Sequence, residues 1–298
     1  MRADLFSFIG VLVLIFVLWV ASGGPSRPVS FSGPYLMPIT TTGTTAQPYG
    51  DPTKFSSINT NVTVGLQGVS ASAETSAYSK AVSFSRDLSG VTQTDPENEY
   101  VVILVSGTSD TTVSTAGWKI VSKATGAGAP LPLGTEVPRS GRVNPLSPIT
   151  LRGGDQMIVT TGRSPVGISF KENKCAGYFE ENQDFNPSLQ TNCPTPSQEF
   201  SRFYDDEDDN GSCAAYVRSI PYCATETRAS GNVSSSCENF VEKHLNYNGC
   251  VDTHTSDPDF LGSTWRVFLG SREELWRRDR ETITLLDGQN KVIDSITY

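Results

Sequence analysis

All six cysteines of this 298-residue chain fall within one short stretch, from Cys175 to Cys250. Clustered cysteines in even number predict disulfides when a chain is exported, and such covalent loops restrict the folds that the stretch can adopt. Six cysteines allow fifteen pairings, among which the sequence does not choose. Nearest-neighbour pairing is weakly favoured: Cys175 with Cys193, Cys213 with Cys223, and Cys237 with Cys250.

Zinc binding is the alternative to disulfides, because the same stretch holds both histidines of the chain. Cys237, His244, Cys250 and His254 form a C-x6-H-x5-C-x3-H series. Zinc sites usually place their first two ligands two to four residues apart. The spacing therefore favours disulfides, and we expect no bound cofactor.

The segment SSCENFVEKHLNYNG predicts a helix inside the cysteine-rich stretch. Phe240 and Val241 would pack inward, His244 would lie at the helix end, and Gly249 would follow its C-terminus. A structural role for His244 is then simpler than a catalytic one.

The N-terminus carries the longest apolar run of the chain, LFSFIGVLVLIFVLWVA over residues 5–21. As a helix it would span about 25 Å, slightly less than the roughly 30 Å of a hydrocarbon core. Residues 1–22 are therefore predicted to be a transmembrane anchor, with a signal sequence as the alternative. Residues 23–79, rich in Ser, Thr, Gly and Pro, are predicted to be a flexible linker.

Either form of export places the rest of the chain outside the cytoplasm. With the helix retained, we expect a single-pass membrane protein whose first partner is the membrane. The net charge of −9 and the sequence pI of about 4.8 exclude the electrostatic footprint of a nucleic-acid binder, because phosphate contact needs clustered Lys and Arg.

The stretch DDEDDNG, residues 205–211, contains part of a calcium-loop pattern. Asp206, Asp208 and Asn210 are weak calcium candidates. An EF-hand needs a bidentate Glu at its twelfth position, and Val217 occupies that position here. A solvated acidic loop is therefore favoured over a metal site.

Catalytic patterns are sparse, and we predict that the protein is not an enzyme. No G-x-S-x-G sequence occurs, and a Ser-His-Asp triad would need one of the two cysteine-region histidines. The alternative is an exported hydrolase, or a metal-dependent module, that uses residues 205–259. Its groups would be His254 with Asp252, Asp257 or Asp259.

Short strands are predicted between residues 98 and 170. Tyr100 to Val105 are continuously apolar, as expected of a strand buried on both faces, and Trp118 and Ile120 share one face of the next strand. Two further short segments with a strand pattern flank the turn Gly153-Gly154-Asp155. Strands at such intervals favour a β-sandwich.

The chain closes on a predicted hairpin, residues 282–298. Ile283 and Leu285 share one face, and β-branched residues follow after the turn residues Asp287 and Gly288, where Gly would accept a positive φ. A hairpin at the end of the chain needs partner strands from earlier in the sequence.

The order of these elements resembles the lamin-tail domain, an immunoglobulin-like β-sandwich. The resemblance rests on the EYV strand, the GW that opens the next strand, the GG turn before an apolar strand, and the final ITLLDGQNKVIDSITY. It covers residues 80–172 and 263–298, which we call the sheet region. It implies that Trp118 packs in the core and that 282–298 closes the sandwich.

Residues 173–262, which we call the insertion, separate the two halves and hold every cysteine. Unlike nuclear lamins, the chain has neither a coiled-coil rod nor a C-terminal CaaX box, so it resembles the bacterial relatives that are exported or membrane-attached. The resemblance implies a mainly β, cell-surface module with a binding or structural role. Its partners would be other cell-surface proteins or polysaccharide.

Overall fold

The computed structural model describes residues 74–203, 211–226 and 233–298. Strand residues outnumber helical ones, so the described chain is rich in β-sheet, and its insertion is partly helical. The strands are β1 Val82–Phe84, β2 Tyr100–Val105, β3 Thr112–Ser114, β4 Lys119–Ser122, β5 Gly128–Pro130, β6 Gly134–Thr135, β7 Thr150–Arg152, β8 Gln156–Thr160, β9 Ser169–Asn173, β10 Leu261–Phe268, β11 Thr282–Leu286 and β12 Val292–Thr297.

Six of these strands form one mixed sheet in the order β1-β2-β8-β10-β9-β6. The β8–β10 pair is parallel, and β10 pairs antiparallel with β9 on its other edge. A parallel pair needs a long crossover connection, which β9 and the insertion provide. The chain therefore returns from the insertion into the middle of the sheet.

The closing hairpin belongs to a second, four-stranded sheet in the order β12-β11-β4-β5. All of its pairs are antiparallel, and Leu285 of β11 lies opposite Ile120 of β4. The predicted hairpin is thus confirmed, and its earlier partner is the strand that follows Trp118. Strands β3 and β7 form a separate two-stranded sheet.

Residues from all three sheets share one apolar core, an arrangement compatible with a β-sandwich. Trp118 lies inside this core and is 1% exposed, and the Tyr78 ring lies 5.3 Å from it between centroids. Ile103 from the six-stranded sheet and Ile283 from the four-stranded sheet are fully buried in the same cluster.

The expectation that Tyr100 to Val105 is buried on both faces is wrong. Val101, Ile103 and Val105 are buried, whereas Leu104 is 37% exposed. Because side chains alternate across a strand, only one face of β2 meets the core.

The hairpin turn is confirmed, but the residue with a positive φ is not the one that the sequence indicated. Asn290, not Gly288, has a positive φ of 63°. Asp287 Oδ1 accepts hydrogen bonds from the N–H groups of Gln289 and Lys291. Gly288 is needed for a different reason, because a Cβ there would lie 2.9 Å from the carbonyl oxygen of Ala116.

The described part of the insertion contains a short 3₁₀ helix, Ala176–Phe179, and four α-helices. The helix predicted around Phe240 is confirmed: it ends at His244, and Phe240 and Val241 are buried. Gly249 does not terminate it, because Gly249 lies inside the next helix. The α-helices are α1 Pro196–Phe203, α2 Ser212–Ser219, α3 Ser235–His244 and α4 Tyr247–His254.

All six cysteines form disulfides, as predicted, but the nearest-neighbour pairing is wrong. The bridges are Cys175–Cys250, Cys193–Cys223 and Cys213–Cys237. Helix packing sets this pattern: α2 lies against α3, which brings Cys213 to Cys237, and α4 returns to the end of β9, which brings Cys250 to Cys175.

Several predictions for the N-terminus lie outside the described residues, among them the helix over 1–22 and most of the linker over 23–79. Within the described ranges no helix is long and apolar enough to cross a membrane. The last residues assigned to the linker contact the hairpin, because the Val292 N–H donates to the Glu74 carbonyl and the Ser76 N–H donates to the Val292 carbonyl.

Candidate functional site

A cleft of about 820 Å³ opens on the insertion. Helix α1 and the C-terminal end of α4 line it, together with Lys174 and the segment that carries Cys193. Most of its lining side chains are polar or charged, and Tyr222, which is 48% exposed, adds an aromatic ring.

Helix α1 begins with a capping box. Thr195 Oγ1 accepts a hydrogen bond from the Gln198 N–H at 3.2 Å, and Gln198 Oε1 accepts one from the Thr195 N–H at 2.9 Å. Pro196 occupies the first helical position, where its missing N–H costs nothing. This start places Glu199 in the first turn, where it is only 2% exposed.

His254, the last residue of α4, lies between two carboxylates. Its Nε2 is 2.9 Å from Glu199 Oε1, and its Nδ1 is 2.8 Å from Asp257 Oδ2. His254 is 3% exposed, so both ring nitrogens are removed from bulk water. Each ring nitrogen therefore has a carboxylate oxygen within hydrogen-bond distance.

Lys174 extends this network at the start of the insertion. Its Nζ lies 2.8 Å from Asp257 Oδ2 and 2.6 Å from Asp259 Oδ1. Partial burial lowers the pKa of Lys174, but the hydrogen bonds to the two aspartates outweigh burial, so the pKa is raised above its ordinary value. Hydrogen bonds from Lys174 and His254 lower the pKa of Asp257 to about 2.

One oxygen of the network lacks a partner among the described residues, namely Glu199 Oε2, which is buried. The phenol of Tyr178 is close enough for the Glu199 charge to act on it: burial first, and then that charge, raise the pKa of Tyr178 above its ordinary value. The floor of the cleft is thus a network of acidic and basic side chains that contact one another.

The structure brings together only some of the residues that the sequence named for the hydrolase alternative. His254 meets Asp257 directly, whereas Asp259 reaches only Lys174. Asp252 points elsewhere and pairs with Arg139. Asp206, Asp208 and Asn210, the weak calcium candidates, lie outside the described residues.

Sequence reasoning missed Glu199 and Lys174 as members of the cluster. The capping box TPSQ at residues 195–198 is a signal that predicts α1. No local signal indicates that the first turn of α1 faces His254, which lies 55 residues further along the chain.

The zinc alternative is wrong. Cys237 and Cys250 are disulfide-bonded, and the His244 ring stacks on Phe203 with centroids 4.1 Å apart. Burial lowers the pKa of His244, as expected for an imidazole between aromatic rings. No group of three or more His, Cys, Asp or Glu in the described ranges could hold a metal ion.

No protein-family model matches this chain, and no curated protein is significantly similar to it in sequence. The resemblance to the lamin-tail domain therefore stays a prediction, and a shared fold would not by itself establish a function.

Proposed function

We propose that this protein is an exported, membrane-anchored module of the lamin-tail type that has a binding or structural role at the cell surface. The observation that carries the proposal is the set of three disulfides with no free cysteine among the described residues. Disulfides persist in oxidising compartments outside the cytoplasm. The apolar run at residues 5–21 provides the means of export and of anchoring.

The lamin-tail assignment is supported by the position of two elements in the sheet region. Trp118 follows Gly117 and is buried in the shared core, as the resemblance requires. The closing hairpin pairs with the strand after that tryptophan, so the end of the chain completes a sheet begun about 160 residues earlier.

A binding role for the cleft is supported by its floor and its rim. The ionic groups of the floor are engaged with one another, which suits a rigid support better than a reactive centre. The rim offers Asn192 as a hydrogen-bonding amide and Tyr222 as an exposed ring. The ligand would be polysaccharide or another cell-surface protein.

Export is tested by treating intact cells with protease and then separating membranes from the soluble fraction. We expect residues 80–298 to be digested from outside while the N-terminal segment stays with the membrane. A full-length, protease-protected pool in the cytosol would refute the proposal.

The role of the cleft is tested with Tyr222→Ala and Asn192→Ala in the full chain, using binding to purified surface polysaccharide and to washed cells. Leu261→Ala is the control, because Leu261 is 40% exposed and does not line the cleft. Loss of binding in both cleft variants alone would support the proposal, and unchanged binding in both would contradict it.

A hydrolase is the second candidate, favoured by the close contacts of His254 with Asp257 and Glu199. Catalysis would require His254 to exchange one carboxylate for a substrate or a water. Turnover of ester, peptide or glycoside substrates that is abolished by His254→Asn would establish this candidate in place of pure binding.

Calcium-dependent binding that is lost on mutation of Asp206 and Asp208 would establish the acidic-loop alternative.

A further inference from the structure

A second hollow, of about 500 Å³, lies where the sheet region meets the insertion. We call it the arginine pocket. The loop 138–146 forms one wall, Val166 and Ile168 a second, and Phe179 and Gln183 of the insertion a third. Its volume is within the range of small-molecule sites, which are often found where two structural regions meet.

The charge of this pocket is opposite to that of the chain. Arg139 and Arg142 line it, and no acidic residue of the described ranges does, although the chain carries a net charge of −9. Arg139 pairs with Asp252, which is outside the pocket. No described carboxylate forms an ion pair with Arg142, so the pocket retains an excess positive charge.

The other lining residues are largely apolar, and two of them are exposed to an unusual degree. Val143 is 99% exposed and Leu146 is 47% exposed. Across the pocket, the amide oxygen of Gln183 is buried and has no hydrogen-bond partner among the described residues. Exposed apolar groups beside an unsatisfied amide and an excess cation indicate a surface that a ligand would cover.

The loop that carries both arginines is held rigidly. Asn144 Oδ1 accepts from the Arg139 N–H at 2.7 Å, and its Nδ2 donates to the Arg139 carbonyl at 3.1 Å. Asn248 of α4 accepts from the Ser140 N–H and donates to the Ser140 carbonyl, both at 3.1 Å. A loop fixed before binding loses little conformational entropy when a ligand arrives.

We propose that the arginine pocket binds a small amphipathic anion, an aliphatic carboxylate whose chain lies against Val166, Ile168 and Phe179. Arg142 would bind the carboxylate, since a guanidinium forms bidentate hydrogen bonds with that group. The NH2 group of Gln183 can donate to the same carboxylate, whereas the buried amide oxygen, an acceptor, would gain no partner from it. This site is separate from the cleft of the proposed function and does not depend on it.

The experiment uses the full chain in phosphatidylcholine nanodiscs, with empty nanodiscs as the blank, and isothermal titration calorimetry. The three probes have one chain length and differ in charge: octanoate, octanol and octylammonium. We expect saturable octanoate binding in the micromolar to millimolar range, weaker octanol binding, and no octylammonium binding. Equal binding of octanoate and octylammonium, or no saturable octanoate binding above the blank, would overturn the proposal.

Arg142→Gln tests the residue assigned to the carboxylate. We expect about tenfold weaker octanoate binding with unchanged octanol binding, because a charge-assisted hydrogen bond is lost while the apolar walls remain. Arg163→Gln is the matched control, since Arg163 is exposed and does not line the pocket. Equal octanoate affinity in the two variants would overturn the assignment.

Val166→Asp tests the apolar wall, because it adds a negative charge that would repel the negatively charged octanoate. Octanoate binding should be lost, and an unchanged melting temperature would show that the variant is folded. If Val166→Asp alters the fold, the Arg142→Gln comparison decides by itself, because Arg142 is exposed.

Discussion

The sheet region and the insertion are stabilised in different ways. The main core of the sheet region contains twenty buried residues, none of which is a cysteine. Counted over the described residues, the two cysteine-containing clusters of the insertion hold eight and seven buried residues, and six of these are cysteines. A large core is stable through burial alone, whereas small cores usually need covalent links. The difference explains why every cysteine lies between residues 175 and 250.

Contacts between the two regions are polar as well as apolar. Arg266 of β10, which is 3% exposed, pairs with Glu172 and donates to the carbonyls of Pro187 and Ser188 in the insertion. Tyr247 of α4 donates to the Pro138 carbonyl at 2.9 Å. These contacts can transmit damage from one region to the other, so both regions have to be monitored.

The largest effect is expected from deletion of residues 292–298, which removes β12. The outer edge of β11 would lose its partner, and the Phe84 N–H would lose Asp294 Oδ2, which accepts from it at 2.8 Å. We expect an insoluble chain or the loss of cooperative unfolding by far-UV circular dichroism. Deletion of residues 22–47 is the control and should leave melting unchanged; native-like melting of both deletions would refute the hairpin's role.

The next largest effect should come from replacing Cys175 and Cys250 with Ser. This bridge joins residues 75 apart, and loop entropy predicts a loss of about 4.5 kcal/mol against about 3.5 kcal/mol for the Cys213–Cys237 bridge, whose cysteines are 24 apart. Chemical denaturation measures the loss in free energy of unfolding for each variant, and hydrogen exchange shows which segments lose protection. Protection should fall in α3 and α4 before β11, and equal loss everywhere would show that the regions are not separable.

Trp118→Ala should reverse this order of unfolding. Removing a fully buried indole costs about 3–5 kcal/mol, and the loss should appear in β4 and β11. Val143→Ala, at a position 99% exposed, should change stability by less than about 0.5 kcal/mol. If Trp118→Ala melts within a degree or two of the parent, Trp118 is not a core residue in solution.

The smallest effect is expected on the stability of the insertion at low pH, through the carboxyl group of Asp257. The pKa of Asp257 falls to about 2 in the folded chain, below the ordinary value of about 3.9. The resulting stabilisation is complete above about pH 4 and is lost as the pH falls through about 2. The difference in stability between the parent and Asp257→Asn should therefore shrink over that interval. A difference that stays constant would mean that Lys174 and His254 do not stabilise the Asp257 carboxylate.

The sequence by itself determined those features that depend on nearby residues. Alternation placed Ile283 and Leu285 on one buried face, Asp287 fixed the hairpin turn, and SSCENFVEKH formed the helix that ends at His244. Even number and clustering were sufficient to predict that every cysteine is bridged. Each of these features is set within a few residues by backbone geometry or side-chain period.

Tertiary structure alone decided which distant residues meet. Cys175 pairs with Cys250 rather than Cys193 because α4 packs against the end of β9. Glu199 contacts His254, and Arg142 shares a pocket with Phe179, for the same kind of reason. Local propensity contains no information about such contacts, because they follow from the way that helices and sheets cover one another's apolar faces.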